Sequence, residues 1–211
     1  MKPIIKRSSQ LLAGVFSLLA ISGCSLLQPA AIPTPNFYAL EAVSLKTGLI
    51  APATAPTLIV SPPHAAAGFD SQRMIYLRET YKLEHFAHSE WIEPPARMLA
   101  PMIVDAIVRT GAFRAVVLSP SMAAGDFRLD SEIIRLQQDF RTHPSTVRLT
   151  LRATLIDENT RRVIDWREFD QSVATSSEDP YGGVVAANRA LQMTLGNLAS
   201  FAAETANQSQ R

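Results

Sequence analysis

His85 and His88 are the first pair whose types and spacing suggest chemistry, because imidazoles three residues apart can approach one metal ion. A zinc site needs further ligands, and no third ligand stands at a recognised spacing from them. Gly182-Gly183, at the start of a predicted helix, could turn backbone amides toward an anion. No Lys-Ser or Lys-Thr follows, as it would in a phosphate-binding loop, and flexibility at the helix start is the plainer reading. A Gly-x-Ser-x-Gly elbow does not occur, so acyl transfer has no visible nucleophile. Asp157, Glu158, Arg161 and Arg162 fall in a predicted hairpin turn, where charged side chains are ordinarily just solvated. Trp91 with Glu93, Pro94 and Pro95 is the most distinctive cluster. A tryptophan just ahead of a helix either packs in the core or anchors a partner, which makes Trp91, Glu93 and Pro94 candidate partner-binding residues. No cofactor is implied, and an enzyme is not expected.

Cys24 is the only cysteine among 211 residues, so the domain has no disulfide partner for it. What precedes it has three parts: basic Lys2, Lys6 and Arg7, an apolar run from Leu11 to Ile21, and the small pair Ser22-Gly23. That is the pattern of an export signal. As a helix the apolar run would cover only about 17 Å of a hydrocarbon core about 30 Å thick. Ile21-Ser22-Gly23-Cys24 resembles the lipobox at which bacterial lipoproteins are cut, between Gly23 and Cys24, and acylated on the cysteine. Several acyl chains on Cys24 would make membrane attachment lasting, where a single chain binds only marginally.

Loss of residues 1–23 would remove three basic residues and no acidic ones, leaving 17 basic against 19 acidic and a formal charge of −2. A nucleic-acid partner is not suggested by that balance. Residues 24–36, the lipid site and its uncharged, proline-containing tether, should run extended and reach roughly 35 Å. The remainder is long enough for one domain with its own core, expected over residues 37–206 with a polar tail at 207–211 that frays.

The elements follow from periodicity. Phe37 to Leu40 and Thr57 to Val60 read as short strands, the second stopped by Pro62-Pro63, with a loop containing Pro52 and Pro56 between them. Arg73 to Arg78 and Tyr81 to Phe86 suggest a hairpin whose turn lacks a glycine. Met98, Leu99, Met102, Ile103, Ala106 and Ile107 recur at helical spacing and predict a helix ending near Gly111. Pro101 interrupts this pattern, so the helix either starts at Pro95 and kinks or starts near Leu99. Ala115 to Leu118 reads as a buried strand, and Asp126 to Gln138 as a longer one whose apolar phase shifts at Ile133-Ile134, as a bulge would produce. Val147, Leu149, Leu151, Ala153 and Leu155 alternate with polar residues, and a turn at Asp157 to Thr160 joins this strand antiparallel to Arg162 to Val173. Asp179 can cap a last helix with Pro180 at its first position and an apolar stripe of Val184, Leu191, Leu195, Leu198 and Ala202. The fold class is α+β, a mixed, largely antiparallel sheet with two main helices on one face.

The order of these elements, Phe37-Tyr38-Ala39-Leu40, Arg73-Met74-Ile75-Tyr76, Trp91-Ile92-Glu93-Pro94-Pro95 before a helix reaching Gly111-Ala112-Phe113, the late hairpin and Asp179-Pro180, resembles the ABC-type transport auxiliary lipoproteins. The resemblance implies a periplasmic component of a system with an ABC ATPase, a permease and an MCE-domain substrate-binding protein, moving lipids or other apolar molecules between membranes. Lipoproteins without aspartate after the acylated cysteine generally pass to the outer membrane, and here that position is Ser25. The implied role is non-catalytic docking of the transporter on the periplasmic face of the outer membrane, in a state that allows a homo-oligomer. The alternative class is an assembly or pilot lipoprotein for an outer-membrane protein. A lipid-binding or hydrolytic domain would need an apolar cavity or a nucleophile beside a base.

Cys24→Ala is expected to leave the domain folded and to release it from membranes. Circular dichroism and membrane fractionation check both, and a variant that still sediments with membranes refutes lipid anchoring at this residue.

Overall fold

The computed structural model describes residues 34–41 and 49–209, so the signal segment, Gly23, Cys24 and most of the tether lie outside the described residues. Nine strands and two helices occupy the described residues. In chain order they are β1 (Asn36–Tyr38), β2 (Thr57–Val60), β3 (His64–Ala65), β4 (Arg73–Glu79), β5 (Lys82–Trp91), α1 (Pro95–Val108), β6 (Ala115–Leu118), β7 (Phe127–Asp139), β8 (Thr146–Asp157), β9 (Val163–Ala174) and α2 (Pro180–Ser209). This is the α+β class, with a mixed sheet whose long ladders are antiparallel.

β7 is the spine of the sheet. Along one flank it pairs antiparallel with β8 over its whole length, from Phe127 opposite Asp157 to Asp139 opposite Thr146. Its other flank is shared in succession by three parallel partners, β2, β3 and β4. β9 extends the sheet beyond β8, β6 beyond β2, and β5 followed by β1 beyond β4. The register slips between Ile133 and Arg135, which places the expected bulge at Ile134. The extra residue changes the phase of the alternation, so that Ile133 and Leu136 both enter the core while Arg135 stays half-exposed.

Both helices cover one face of this sheet, α2 over β7, β8 and β9, and α1 over β2, β3 and β6, with the helices also in contact with each other. The predicted stripe of α2 is buried at every position, and Phe201, with no exposed surface, meets Phe169 of β9 edge-on at 6.0 Å between centroids. Leu99, Ile103 and Ile107 of α1 are likewise fully buried. Burying a side chain of this size contributes about 1.5–3 kcal/mol, which is why the two apolar stripes decide where the helices lie.

Several sequence expectations change in detail. α1 begins at Pro95 and continues through Pro101. Proline is well suited to a first helical position, and Pro101 and Arg97 are both exposed, so the Arg97 carbonyl that lacks a helical donor faces water. Gly111, at φ +63°, ends the segment in the left-handed conformation that glycine adopts without strain. β1 starts one residue early and ends at Tyr38, because Leu40 turns into the core, where its N–H faces Met98 Sδ at 3.4 Å. β6 is half-buried rather than buried, since it pairs only with β2. The two-residue β3 was not expected, being too short to show a period. Residues 207–209, assigned to a fraying tail, continue α2 with exposed side chains.

Glycine placement in α2 gives a direct test. A Cβ on Gly182 would collide with the Ser177 carbonyl oxygen, whereas one on Gly196 would meet nothing within 4 Å. Gly182→Ala should therefore destabilise by about 1–3 kcal/mol. Gly196→Ala should stabilise by roughly 0.5–1 kcal/mol. Denaturant unfolding of the two variants measures both, and equal effects would contradict this packing.

Candidate functional site

Trp91 ends β5, and its surroundings join four elements. Its N–H donates to the Gln72 carbonyl at 2.7 Å, and the next amide, of Ile92, donates to the Tyr38 carbonyl of β1 at 2.7 Å. Gln72 Nε2 returns a bond to the Ile92 carbonyl at 2.7 Å. Asn188 of α2 holds the chain just after β1 from both sides, donating to the Ala39 carbonyl at 3.3 Å and accepting from the Glu41 N–H at 2.7 Å. The Trp91 ring is 4% exposed and belongs to the main core, where a tryptophan contributes a large buried area. What the cluster presents outward is Ile92, half-exposed, and the Glu93 carboxylate, which faces Arg97 one helical turn later at 3.7 Å. Pro94 is half-buried at the α1 N-cap and provides no side-chain cap.

A cavity of about 20 Å³ lies beside Trp91, lined by Met74, Phe86, Leu136 and Val147 among others. That is room for about one water molecule, far below the roughly 300 Å³ of a small-molecule site. His85 and His88 are both exposed on β5, and among the described residues no group of three His, Cys, Asp or Glu side chains is placed to hold a metal.

Gly182-Gly183 has a packing explanation. Asp179 Oδ1 accepts from Ser177 Oγ at 2.8 Å and from the Gly182 N–H at 2.7 Å, and the Gly183 N–H donates to the Asp179 carbonyl at 3.1 Å. These bonds, the Gly182 amide first, hold the Asp179 carboxyl below its usual pKa. The amides an anion would need are thus already used. Gly183 lies directly against the Gln138 side chain, whose Nε2 donates to Ser145 Oγ at 3.0 Å. Ser145 in turn bonds Thr175 at 2.8 Å, and its N–H reaches Glu178 Oε1 at 2.8 Å. This buried polar network pins the start of α2 to the β7–β8 turn. Its members are scattered in sequence, so no local pattern announces it.

The sheet face away from the helices carries a lattice of ion pairs. Arg148 donates to both Asp170 oxygens, at 2.6 Å from Nη2 to Oδ2, and Thr150 Oγ1 adds a bond at 2.8 Å. Arg152 reaches Glu168 at 3.1 Å and Glu132 at 3.9 Å and lies over the exposed Trp166 ring at 5.9 Å. Glu158 in the β8–β9 turn, expected to be merely solvated, receives Arg128 of β7 at 2.8 Å. Each of these carboxylates has a cationic neighbour, and Glu132 and Arg152 line an open pocket of about 340 Å³ with His64, Asp130, Ser131 and Thr154. Among the described residues β9 has a strand neighbour on its β8 side only, so its outer edge offers unpaired backbone groups flanked by the exposed Val163 and Trp166.

The described residues thus form an α+β domain with a buried Trp91 corner, an ion-paired outer sheet face and an open β9 edge. The sequence signature of the ABC-type transport auxiliary lipoprotein component matches residues 38–199, and the chain belongs to that family. It is therefore a transport auxiliary component of lipoprotein type. A crystal structure of a Xanthomonas campestris protein of the DUF330 family is similar over 83% of this chain and 99% of that one, at 23% identity and a TM-score of 0.70. A hypothetical protein of Chlamydia trachomatis is similar over 72% and 98%, at 8% identity and a TM-score of 0.53. At these identities both support the fold alone. No match is found among curated proteins. Among the described residues no helix is long and apolar enough to cross a membrane.

Hydrogen bonding from Arg148, with Thr150 assisting, depresses Asp170 to a pKa of about 2 from an ordinary 3.8. A carboxylate lowered in this way stabilises the fold above pH 4, and the contribution is lost as pH falls from about 4 to 2. The shift corresponds to about 2 kcal/mol, but Asp170 is 41% exposed and screening reduces this to about 1 kcal/mol. Asp170→Asn should lower stability at neutral pH by that amount and flatten the acid limb of the stability profile. Parallel pH profiles for the two proteins would expose an error here.

Proposed function

We propose that this protein is a non-catalytic, lipid-anchored docking subunit of an ABC transport system of the MCE type. It holds the MCE-domain substrate-binding protein, and through it the permease and ATPase, at the periplasmic face of the outer membrane while lipids pass between membranes. The observation that carries this reading is membership, over residues 38–199, in the transport auxiliary lipoprotein family. The lipobox ending at Cys24 and the serine that follows it support anchoring and outer-membrane sorting.

The surface chemistry is suited to docking. An extended segment of a partner can add to the open edge of β9, where main-chain hydrogen bonds supply affinity and the exposed Trp166 and Val163 supply apolar contact. The same edge would serve a second copy of the chain in a homo-oligomer. Ile92 and Glu93, beside the buried Trp91, form a second candidate contact with Pro94 setting the local backbone.

Affinity isolation of the intact lipoprotein from crosslinked cells, with mass spectrometry of its partners, tests the proposal. Recovery of an MCE-domain protein is expected. Recovery of only a β-barrel client would instead make the chain an assembly lipoprotein for that client.

A further inference from the structure

One end of the sheet gathers three loops. Arg141, in the β7–β8 turn, donates from Nη1 to Thr80 Oγ1 at the tip of the β4–β5 hairpin, at 3.2 Å. The Ser145 N–H of the same turn bonds Glu178, just before α2, at 2.8 Å. In the first turn of α2, Tyr181 lies against Tyr38 of β1 with centroids 6.5 Å apart. β1 is reached through Pro35, eleven residues after Cys24. The hairpin tip, the β7–β8 turn and the start of α2 therefore share one end, and β1, whose Phe37 pairs opposite Glu90 well short of the hairpin tip, enters beside the start of α2. The β8–β9 turn lies at the other end, about 40 Å away along β7 at the usual strand rise.

This end exposes aromatic rings, while the exposed Trp166 toward the β8–β9 turn lies beneath Arg152 at 5.9 Å. Tyr81 is fully exposed and Tyr181 is 62% exposed, with Leu83 at 50% beside the hairpin tip. Tyr81 also has φ +69°, a left-handed conformation at a turn where glycine would be free of strain. A wholly exposed ring makes no packing contact, so the fold gives no reason for a bulky residue at this strained position. Nearby charges are balanced, with Lys82 on Glu79 at 3.2 Å, Arg78 on Glu84 at 3.2 Å and Arg141 on Asp139 at 2.6 Å. Tyrosines among paired charges are chemically suited to the headgroup region of a bilayer, where rings with an apolar body and a polar tip accumulate.

We infer that this end of the domain rests on the bilayer surface that carries its own anchor, with Tyr81 and Tyr181 in the headgroup region. The inference rests on lipid anchoring at Cys24. An extended tether from Cys24 to Pro35 reaches only roughly 35 Å, which keeps its point of attachment close to the membrane. The β8–β9 turn and the far end of the open β9 edge are then directed away from the bilayer, toward the periplasm.

The test uses the lipidated protein reconstituted in vesicles of phosphatidylethanolamine and phosphatidylglycerol. Tyr81→Cys and Val163→Cys each carry an environment-sensitive fluorophore; acylated Cys24 is a thioether and takes no label. Nitroxide lipids should quench the label at position 81 by roughly twofold, as expected for a headgroup depth, and leave the label at position 163 in the β8–β9 hairpin unchanged. Vesicle flotation without quenching at 81, or with stronger quenching at 163, overturns the orientation and leaves anchoring intact. Failure to float overturns anchoring and this inference together. A position-81 label that is aqueous on vesicles but shielded in the crosslinked transporter complex overturns it in favour of a protein contact.

Discussion

Strand β7 has to satisfy hydrogen bonds along both flanks, and the rest of the molecule is arranged around that requirement. On one side β8 pairs with it along its whole length apart from the bulge, through a short turn, so the pairing is local and its register is set by the alternation of apolar residues. On the other side no single strand is long enough, and β2, β3 and β4 divide the flank among them. Those parallel pairings are two or three residues each, which is too little to hold a strand by hydrogen bonds alone. Apolar burial supplies the difference: Leu58, Val60 and Met74 project into the same core as Leu129, Ile133 and Leu136. The bulge at Ile134 lets β7 serve both flanks, since it returns Leu136 to the core after a change in alternation.

Polar interactions divide into two kinds with different consequences. Gln138, Ser145, Thr175 and Thr150 are buried, and Gln138, Ser145 and Thr175 form the network that fixes where α2 begins relative to β7 and β8. Removing one member of such a network would leave another buried without its protein partner, so it specifies geometry more than it adds stability. The ion pairs of the outer face are partly exposed and individually weak, but they cover a broad sheet surface with neutralised charge. The open edge of β9 lies beside this ion-paired face.

The roles of several short motifs are set by contacts that exist only in three dimensions. Gly182-Gly183 is required by the closeness of Ser177 and Gln138, not by an anion or by flexibility. Glu158, which looks like an ordinary turn residue, is tied to Arg128 thirty residues earlier in sequence. Tyr81 looks like a strand residue, and only its backbone angle and complete exposure mark it as unusual. The missing glycine in that turn was nevertheless legible, since residues 79–82 contain none.

Sequence by itself determined the class of the fold, the order of its longer elements, the bulge in β7 and the Asp179 cap, because each is encoded within a few residues by period, phase or a single hydrogen-bonding side chain. It also carried the lipobox and the family resemblance, which are strings of adjacent or regularly ordered residues. Tertiary structure alone decided that Trp91 is buried, that three strands share one flank of β7, and that the hairpin tip, the β7–β8 turn and the start of α2 meet at one end. The physical reason is that these depend on contacts between residues far apart in the chain, whose free energy comes from burial and from completing hydrogen bonds across elements. No local pattern records which distant surface an apolar residue will find.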